Sequence, residues 1–258
     1  MTNSPLDQFE VNSLFSISFP VMNFGLYLTN LGLYLIIASI ILVLIFVFSF
    51  SRKLASENDS SSLVPSSWGV STESIYASVQ GMVKDQIGDA QTQYLPLAVS
   101  IFTFILVANL AGNIPYSLSI FSSAILTMYL SVTIFLSVTV LGLVIHRVHW
   151  FAYFVPAGTP LALAPLLVLI ETISYLARAV SLGVRIFSNL VAGKVLAYIV
   201  SSGIYGFFSK GILISILALI PVVIFVALLG LELAVALIQS YVFTILTCSY
   251  IADSIKLH

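Results

Sequence analysis

The sequence predicts an all-α membrane protein with about five transmembrane helices, the last two long, strongly tilted and paired as a hairpin, plus one amphipathic interfacial helix. Three observations lead there. Hydrophobic residues make up 60% of the 258-residue chain and charged residues only 7%, whereas about a quarter of an ordinary soluble domain is charged. With so little polar surface and a mean hydropathy of +1.13, the outside of the chain must face lipid. Apolar runs of about twenty residues recur, the length that crosses a hydrocarbon core about 30 Å thick. Over residues 165–258 the runs become much longer than that core.

Taken in order, residues 1–25 form an N-terminal segment. It has no basic region, and Pro5, Asp7 and Glu10 do not suit an Arg-rich presequence, so no cleavable targeting signal is expected. Residues 26–51 are the first transmembrane helix, apolar from about Leu26 to Phe50 and stopped by Arg52 and Lys53. Residues 52–93 hold a polar loop, Ser-rich over 56–62, and an amphipathic helix. From Pro65 to Gly88, the residues Trp68, Ile75, Val79, Met82, Val83 and Ile87 recur at helical spacing, as expected of a helix at an interface or packed on a partner. Residues 94–147 form a two-span hairpin: Tyr94 to Asn113, ended by the Asn113-Ile114-Pro115 breaker, then Leu118 to Ile145. His146, Arg147 and His149 bound the second span, with Trp150 as an interface anchor. Residues 148–164 are a Pro-rich turn.

Residues 165–258 form the tilted hairpin. No loop signal interrupts Pro165 to Ser202, a helix about 55 Å long. Lys210 to Ala252 is longer still, with a kink expected at Pro221. Neither helix can stand upright, and the turn between them is expected around Gly203–Gly206. Polar groups on such helices need protein or water around them rather than lipid, so the geometry implies a partner.

Ionisable residues inside a membrane cost several kcal/mol and are functional candidates by default. Glu171, Arg178 and Arg185 are spaced seven apart, and seven residues return a helix to within about 20° of the same face. That face carries Glu171, Ser174, Arg178, Ser181, Arg185, Ser188, Asn189 and Ala192, a stripe of small and polar side chains. Leu176, Val180, Val184, Phe187 and Val191 lie opposite. Small residues admit a close neighbour, and a guanidinium that keeps its proton wants an acidic counter-charge. Arg185 has no sequence-local carboxylate, so its counter-charge is expected from another helix or another protein. On the last helix Glu232 and Gln239 share a face, and the Glu232 carboxylate is a group able to bind and release a proton. Lys194, about 180° round from Arg185, is expected to point toward Glu232, as an ion pair or across a hydrated cavity.

Other classes are excluded. The near-neutral charge balance, 9 basic against 10 acidic residues, offers no clustered basic face for nucleic acid. There is no GxxxxGK[ST] or GxGxxG, so no nucleotide site. His146, His149 and His258 all stand at span ends, which leaves no two intramembrane pairs of haem ligands. Cys248 is the lone cysteine, so no disulfide or thiolate metal cluster can form. No cofactor and no metal site are expected.

The run from Glu171 through Arg178, Arg185 and Asn189 to Gly193, ETISYLARAVSLGVRIFSNLVAG, closely resembles the signature of subunit a of F-type ATP synthases. The likeness extends to SPLDQFE at Ser4–Glu10, to Asn109–Tyr116, to Phe154–Pro160 with its PAGTP, and to Glu232–Leu246. It is mitochondrial and fungal in style. The resemblance implies a proton-translocating stator subunit with two half-channels that load and unload protons on a carboxylate of a rotating c-ring. Arg185 matches the family's arginine between the half-channels, which prevents a proton short-circuit. Glu232 matches the inlet relay, Gln239 and Asn189 match polar positions beside the arginine, and Glu171, Arg178 and Asp253 match polar positions on the outlet side. Lys194 stands where relatives usually carry a histidine or an acid, and is given a lining or ion-pair role. The resemblance also implies the c-ring, the peripheral stalk and other membrane-sector subunits as partners, and the mitochondrial inner membrane as location. The alternatives are a proton-pumping subunit of a respiratory redox complex, for which several upright helices are expected, and a small-solute transporter with inverted repeats, none of which is evident.

Overall fold

A computed structural model of the chain describes residues 4, 7–19, 24–55, 67–88, 93–114, 117–154, 163–208 and 218–255. The Ser-rich loop at 56–62 and the proline cluster at 155–160 lie outside the described residues. The chain opens with a short 3-10 turn, Asp7–Phe9, and an antiparallel β-hairpin of β1 (Ser13–Phe19) and β2 (Phe24–Thr29). Among the described residues six α-helices follow: α1 Asn30–Ala55, α2 Ser67–Gln86, α3 Leu95–Gly112, α4 Ala124–His146, α5 Ala164–Phe208 and α6 Leu219–Ile255. All but α2 are long and apolar enough to cross a membrane.

The hairpin was not anticipated. Its register opposes Phe15 with Leu28, Ile17 with Leu26 and Phe19 with Phe24, and β1 alternates apolar residues with serine, the period of a strand. No linker separates β2 from α1, so the first span begins at Asn30 rather than Leu26. Thr29 Oγ1 accepts from the Gly32 amide at 3.2 Å, an N-cap that satisfies one of the free donors of the first turn. Asn30 ties the helix start to the start of β1, with its amide on the Asn12 carbonyl and its side chain on the Glu10 carbonyl.

At the other end of the chain, α5 has 45 residues and α6 has 37, about 67 Å and about 55 Å at 1.5 Å per residue. Both exceed a bilayer core of about 30 Å. The expected turn at Gly203–Gly206 is corrected: both glycines lie inside α5, which runs to Phe208, and residues 209–217 lie outside the described residues. A helical glycine costs only about 1 kcal/mol relative to alanine, less than is needed to break a helix already propagating on both sides. The kink at Pro221 is also corrected. Since α6 begins at Leu219, the proline lies in the first turn, where its missing N–H would have no partner in any case.

The chain divides into two compact units. One comprises Met1–Leu44, Phe104–Ser123 and Ile186–Gln239; the other comprises Ile45–Thr103, Ala124–Arg185 and Ser240–His258. In the first, the connection after α3 folds into a 3-10 turn, Ile120–Ser122, whose residues are all buried. Phe121 meets Phe104 edge-on with 6.0 Å between ring centroids. Ser117 Oγ reinforces the end of α3 by donating to the Ala111 and Ile114 carbonyls, which also accept from the Ile114 and Ser117 backbone amides.

In the second unit, Val79, Met82, Val83 and Ile87 of the α2 region are buried with Ala98, Val99, Val138, Cys248 and Ile251. The amphipathic face is therefore used inside the chain over its C-terminal half, while Trp68 at the other end is 73% exposed. Gly183 lets α4 approach α5, since a Cβ there would lie 2.9 Å from Met128 Sδ. Trp150 is not an interface anchor: it is buried. The 3-10 segment Arg147–Phe154, entered through a left-handed Arg147 (φ 52°), turns the indole onto Gly142, where a Cβ would lie 2.5 Å from Trp150 Nε1.

Candidate functional site

The stripe predicted on α5 is present. Ser181, Arg185, Ser188, Asn189 and Ala192 are exposed, while Ala179, Leu182, Gly183, Ile186 and Leu190 on the adjoining face are buried. The helix thus packs one edge and leaves Arg185 exposed among small polar neighbours, while Leu176, Val180 and Val184 opposite are exposed as well. The Arg185 and Arg178 charges both act on the Tyr250 hydroxyl of α6.

In the unit holding the first half of α5, Arg178 reaches two carboxylates: Glu171 Oε1 at 3.9 Å and Asp253 Oδ2 at 3.7 Å. Glu171 comes from two turns earlier on the same helix and Asp253 from α6. These groups are about one-third exposed, so each contact contributes at most about 1 kcal/mol. Beside them is a cavity of about 20 Å³ lined by Trp150, Tyr175, Arg178, Tyr250, Asp253 and Ser254, the size of a single water. Its walls are fixed by hydrogen bonds, Ser254 Oγ to the Val138 carbonyl at 3.2 Å and Thr139 to Tyr175 at 2.8 Å.

In the unit holding the second half of α5, the antiparallel pairing with α6 brings Asn189 to Gln239 and Gly193 to Glu232. Asn189 Nδ2 donates to Gln239 Oε1 at 3.2 Å. A Cβ on Gly193 would lie 3.3 Å from Glu232 Oε1, so the glycine is what admits the carboxyl group between the two helices. These residues and Asn109 of α3 line a chamber of about 250 Å³, walled otherwise by Ile186, Leu190, Leu196 and neighbouring α6 side chains. Asn109, 1% exposed, holds α3 to α6 by donating to the Ala236 carbonyl at 3.4 Å.

Lys194 and Glu232 act on each other electrostatically but form no salt bridge. The ammonium instead donates to the Ser117 carbonyl at 2.9 Å. Of the predicted residues, Glu232, Gln239 and Asn189 therefore meet in one chamber, and Glu171, Arg178 and Asp253 in one ion cluster. Sequence reasoning missed Asn109, Gly193 and Ser117. Asn109 had a visible signal, an amide in the last turn of a largely apolar span; the role of Gly193 emerges only from helix pairing. Among the described residues, no three His, Cys, Asp or Glu side chains gather closely enough to hold a metal ion.

Residues 33–252 match the family described as ATP synthase A chain. The chain is similar to ATP synthase subunit a of Mycosarcoma maydis, 49% identical over 100% of this chain and 99% of the relative. It is also similar to the subunits a of Trichophyton rubrum, 46% identical over 99% and 97%, and of Zancudomyces culisetae, 45% identical over 100% of both chains.

Proposed function

The chain belongs to the ATP synthase A chain family and is a proton-translocating, multi-pass subunit of the membrane sector; from that premise we propose that it builds two half-channels serving a rotating c-ring, with Arg185 holding them apart. The ring's carboxylate takes a proton from the inlet side, carries it round, and releases it to the outlet side. The Glu232 chamber serves as inlet, with Gln239 and Asn189 as its polar wall. The Arg178–Asp253–Glu171 cluster serves as outlet. The mitochondrial inner membrane is the location, and the c-ring, the peripheral stalk and other membrane-sector subunits are the partners.

The observation that carries this reading is the exposed guanidinium of Arg185 on a face of small side chains. A guanidinium placed in a bilayer costs about 3 kcal/mol, and that cost is offset when a carboxylate comes opposite it. At about 4 Å and an effective dielectric of about 20, the attraction is about 4 kcal/mol, enough to favour the ionised ring carboxylate at that station. Because guanidinium keeps its proton, it can draw the ring acid into the charged form but cannot pass a proton across. Small neighbours at Ser181, Ser188 and Ala192 let the ring helices slide past at short range.

Cysteine cross-linking in the assembled complex tests this. Cysteines placed at Ser188 and Ala192 should join to cysteines on the outer face of the ring helix, whereas one at Val184 should not. Cross-links from Val184 together with none from Ser188 would refute the assignment of this face.

A further inference from the structure

The last turn of α6 carries Asp253 and is pinned to α4 at two points. The contact of Asp253 with Arg178, 3.7 Å and partly exposed, is too long and too open to fix where the carboxylate sits. Its neighbours are held instead by α4. Ile251 and Ser254 are buried, and Ser254 Oγ donates to the Val138 carbonyl at 3.2 Å. Gly142 keeps room for that hydroxyl, since a Cβ there would lie 2.8 Å from it. Val138, Gly142 and His146 are spaced four apart and so share one edge of α4. The second point is at His146, whose Nε2 lies 3.1 Å from the Ile255 carbonyl.

The proposed outlet does not otherwise involve this histidine. Ile255 is the last residue of α6, and the final carbonyls of a helix have no intrahelical donor. A carbonyl oxygen only accepts, so Nε2 carries the hydrogen of this bond. The imidazole is placed by the end of its own helix: α4 stops at His146, and the chain leaves it through the left-handed Arg147 (φ 52°). The two fixed points thus lie one and two residues beyond Asp253.

We infer that His146 is a positioning residue of the outlet: by holding the Ile255 carbonyl it fixes the last turn of α6 on α4 and keeps the Asp253 carboxylate in the path of departing protons. The inference rests on the outlet role proposed for the Arg178–Asp253–Glu171 cluster. Helix ends fray because their last carbonyls lack partners, and fraying here would carry Asp253 with it. A reacting group misplaced by about 1 Å loses much of its efficiency. His146 needs only its Nε2–H for this task and takes no proton from the path.

The test is passive proton flux, read per assembled complex, in vesicles that carry the whole complex with its nucleotide-hydrolysing head stripped off. Glutamine places its amide nitrogen where histidine has Nε2, whereas asparagine reaches only as far as Nδ1. His146→Gln should therefore keep the flux, and His146→Asn should lower it about fivefold, the order expected when a hydrogen bond that fixes a reacting group is lost. Equal flux in the two variants would overturn the tether. In an Asp253→Asn background, His146→Asn should lower the flux no further, because no carboxylate is left to place. A further loss there would make His146 a general support of the helices and overturn the assignment. If Asp253→Asn alone leaves the flux unchanged, the outlet role of the cluster falls; if it lowers the flux and His146→Asn does not, the positioning role alone falls. Should His146→Asn fail to assemble, His146→Gln decides: retained flux upholds the tether, and lost flux rejects it.

Discussion

The two halves of α5 treat polar groups in opposite ways. Around its first half, Arg178 touches two carboxylates and the accompanying cavity is about 20 Å³. Around its second half, Glu232 and Gln239 keep atoms without partners beside a chamber of about 250 Å³. One cluster is closed on itself, the other open. A closed cluster holds its charges through neighbours of fixed geometry. An open one must recruit water, and water is what conducts protons over distances that side chains do not span. Both are built on one helix, and Arg185 stands between them in the sequence, seven residues after Arg178 and four before Asn189.

The comparison predicts a ranking. Glu232→Gln, which removes the one carboxyl that lines the chamber among the described residues, should reduce proton flux through the stripped complex about a hundredfold, the usual worth of a positioned proton-transfer group. A flux within twofold of the unaltered chain would remove Glu232 from the path. Gly193→Ala should do less: its methyl would press on Glu232 Oε1 from 3.3 Å, and a cost of about 1 kcal/mol corresponds to about a fivefold slowing. Arg178→Gln should have the smallest effect. Its two contacts are long and partly exposed, each worth about 0.3 kcal/mol at the low end for such pairs, so ATP synthesis should fall no more than about threefold. A greater loss from Arg178→Gln than from Gly193→Ala would invert the contrast between closed and open clusters.

Much of this was legible in the residues. The period of seven in Glu171, Arg178 and Arg185 located the stripe, and apolar run length alone gave five spans and two overlong helices. The edge by which α5 packs was not readable, because it joins Ala179, Leu182, Gly183, Ile186 and Leu190 and leaves both the small polar stripe and the branched residues Val180 and Val184 exposed. What escaped notice depended on three-dimensional pairing. The β-hairpin hid within general hydrophobicity although Phe15, Ser16, Ile17, Ser18 and Phe19 alternate in strand period. Gly203 and Gly206 read locally as a turn, yet helix propagation outweighs so small a penalty. The sequence leaves Lys194 either paired with Glu232 or across a hydrated cavity from it, and nothing in the local sequence indicates that the Ser117 carbonyl, 77 residues away, takes its ammonium. Trp150 looked like an interface anchor because the gap it fills, over Gly142, is formed by another helix.

The most direct test of a fixed positive charge dividing two proton paths is to measure ATP synthesis and passive proton conductance together in vesicles carrying Arg185→Ala. With the charge removed, synthesis should disappear while protons still cross, because the paths remain and the barrier between them does not. Coupled synthesis at the unaltered rate would contradict that division outright.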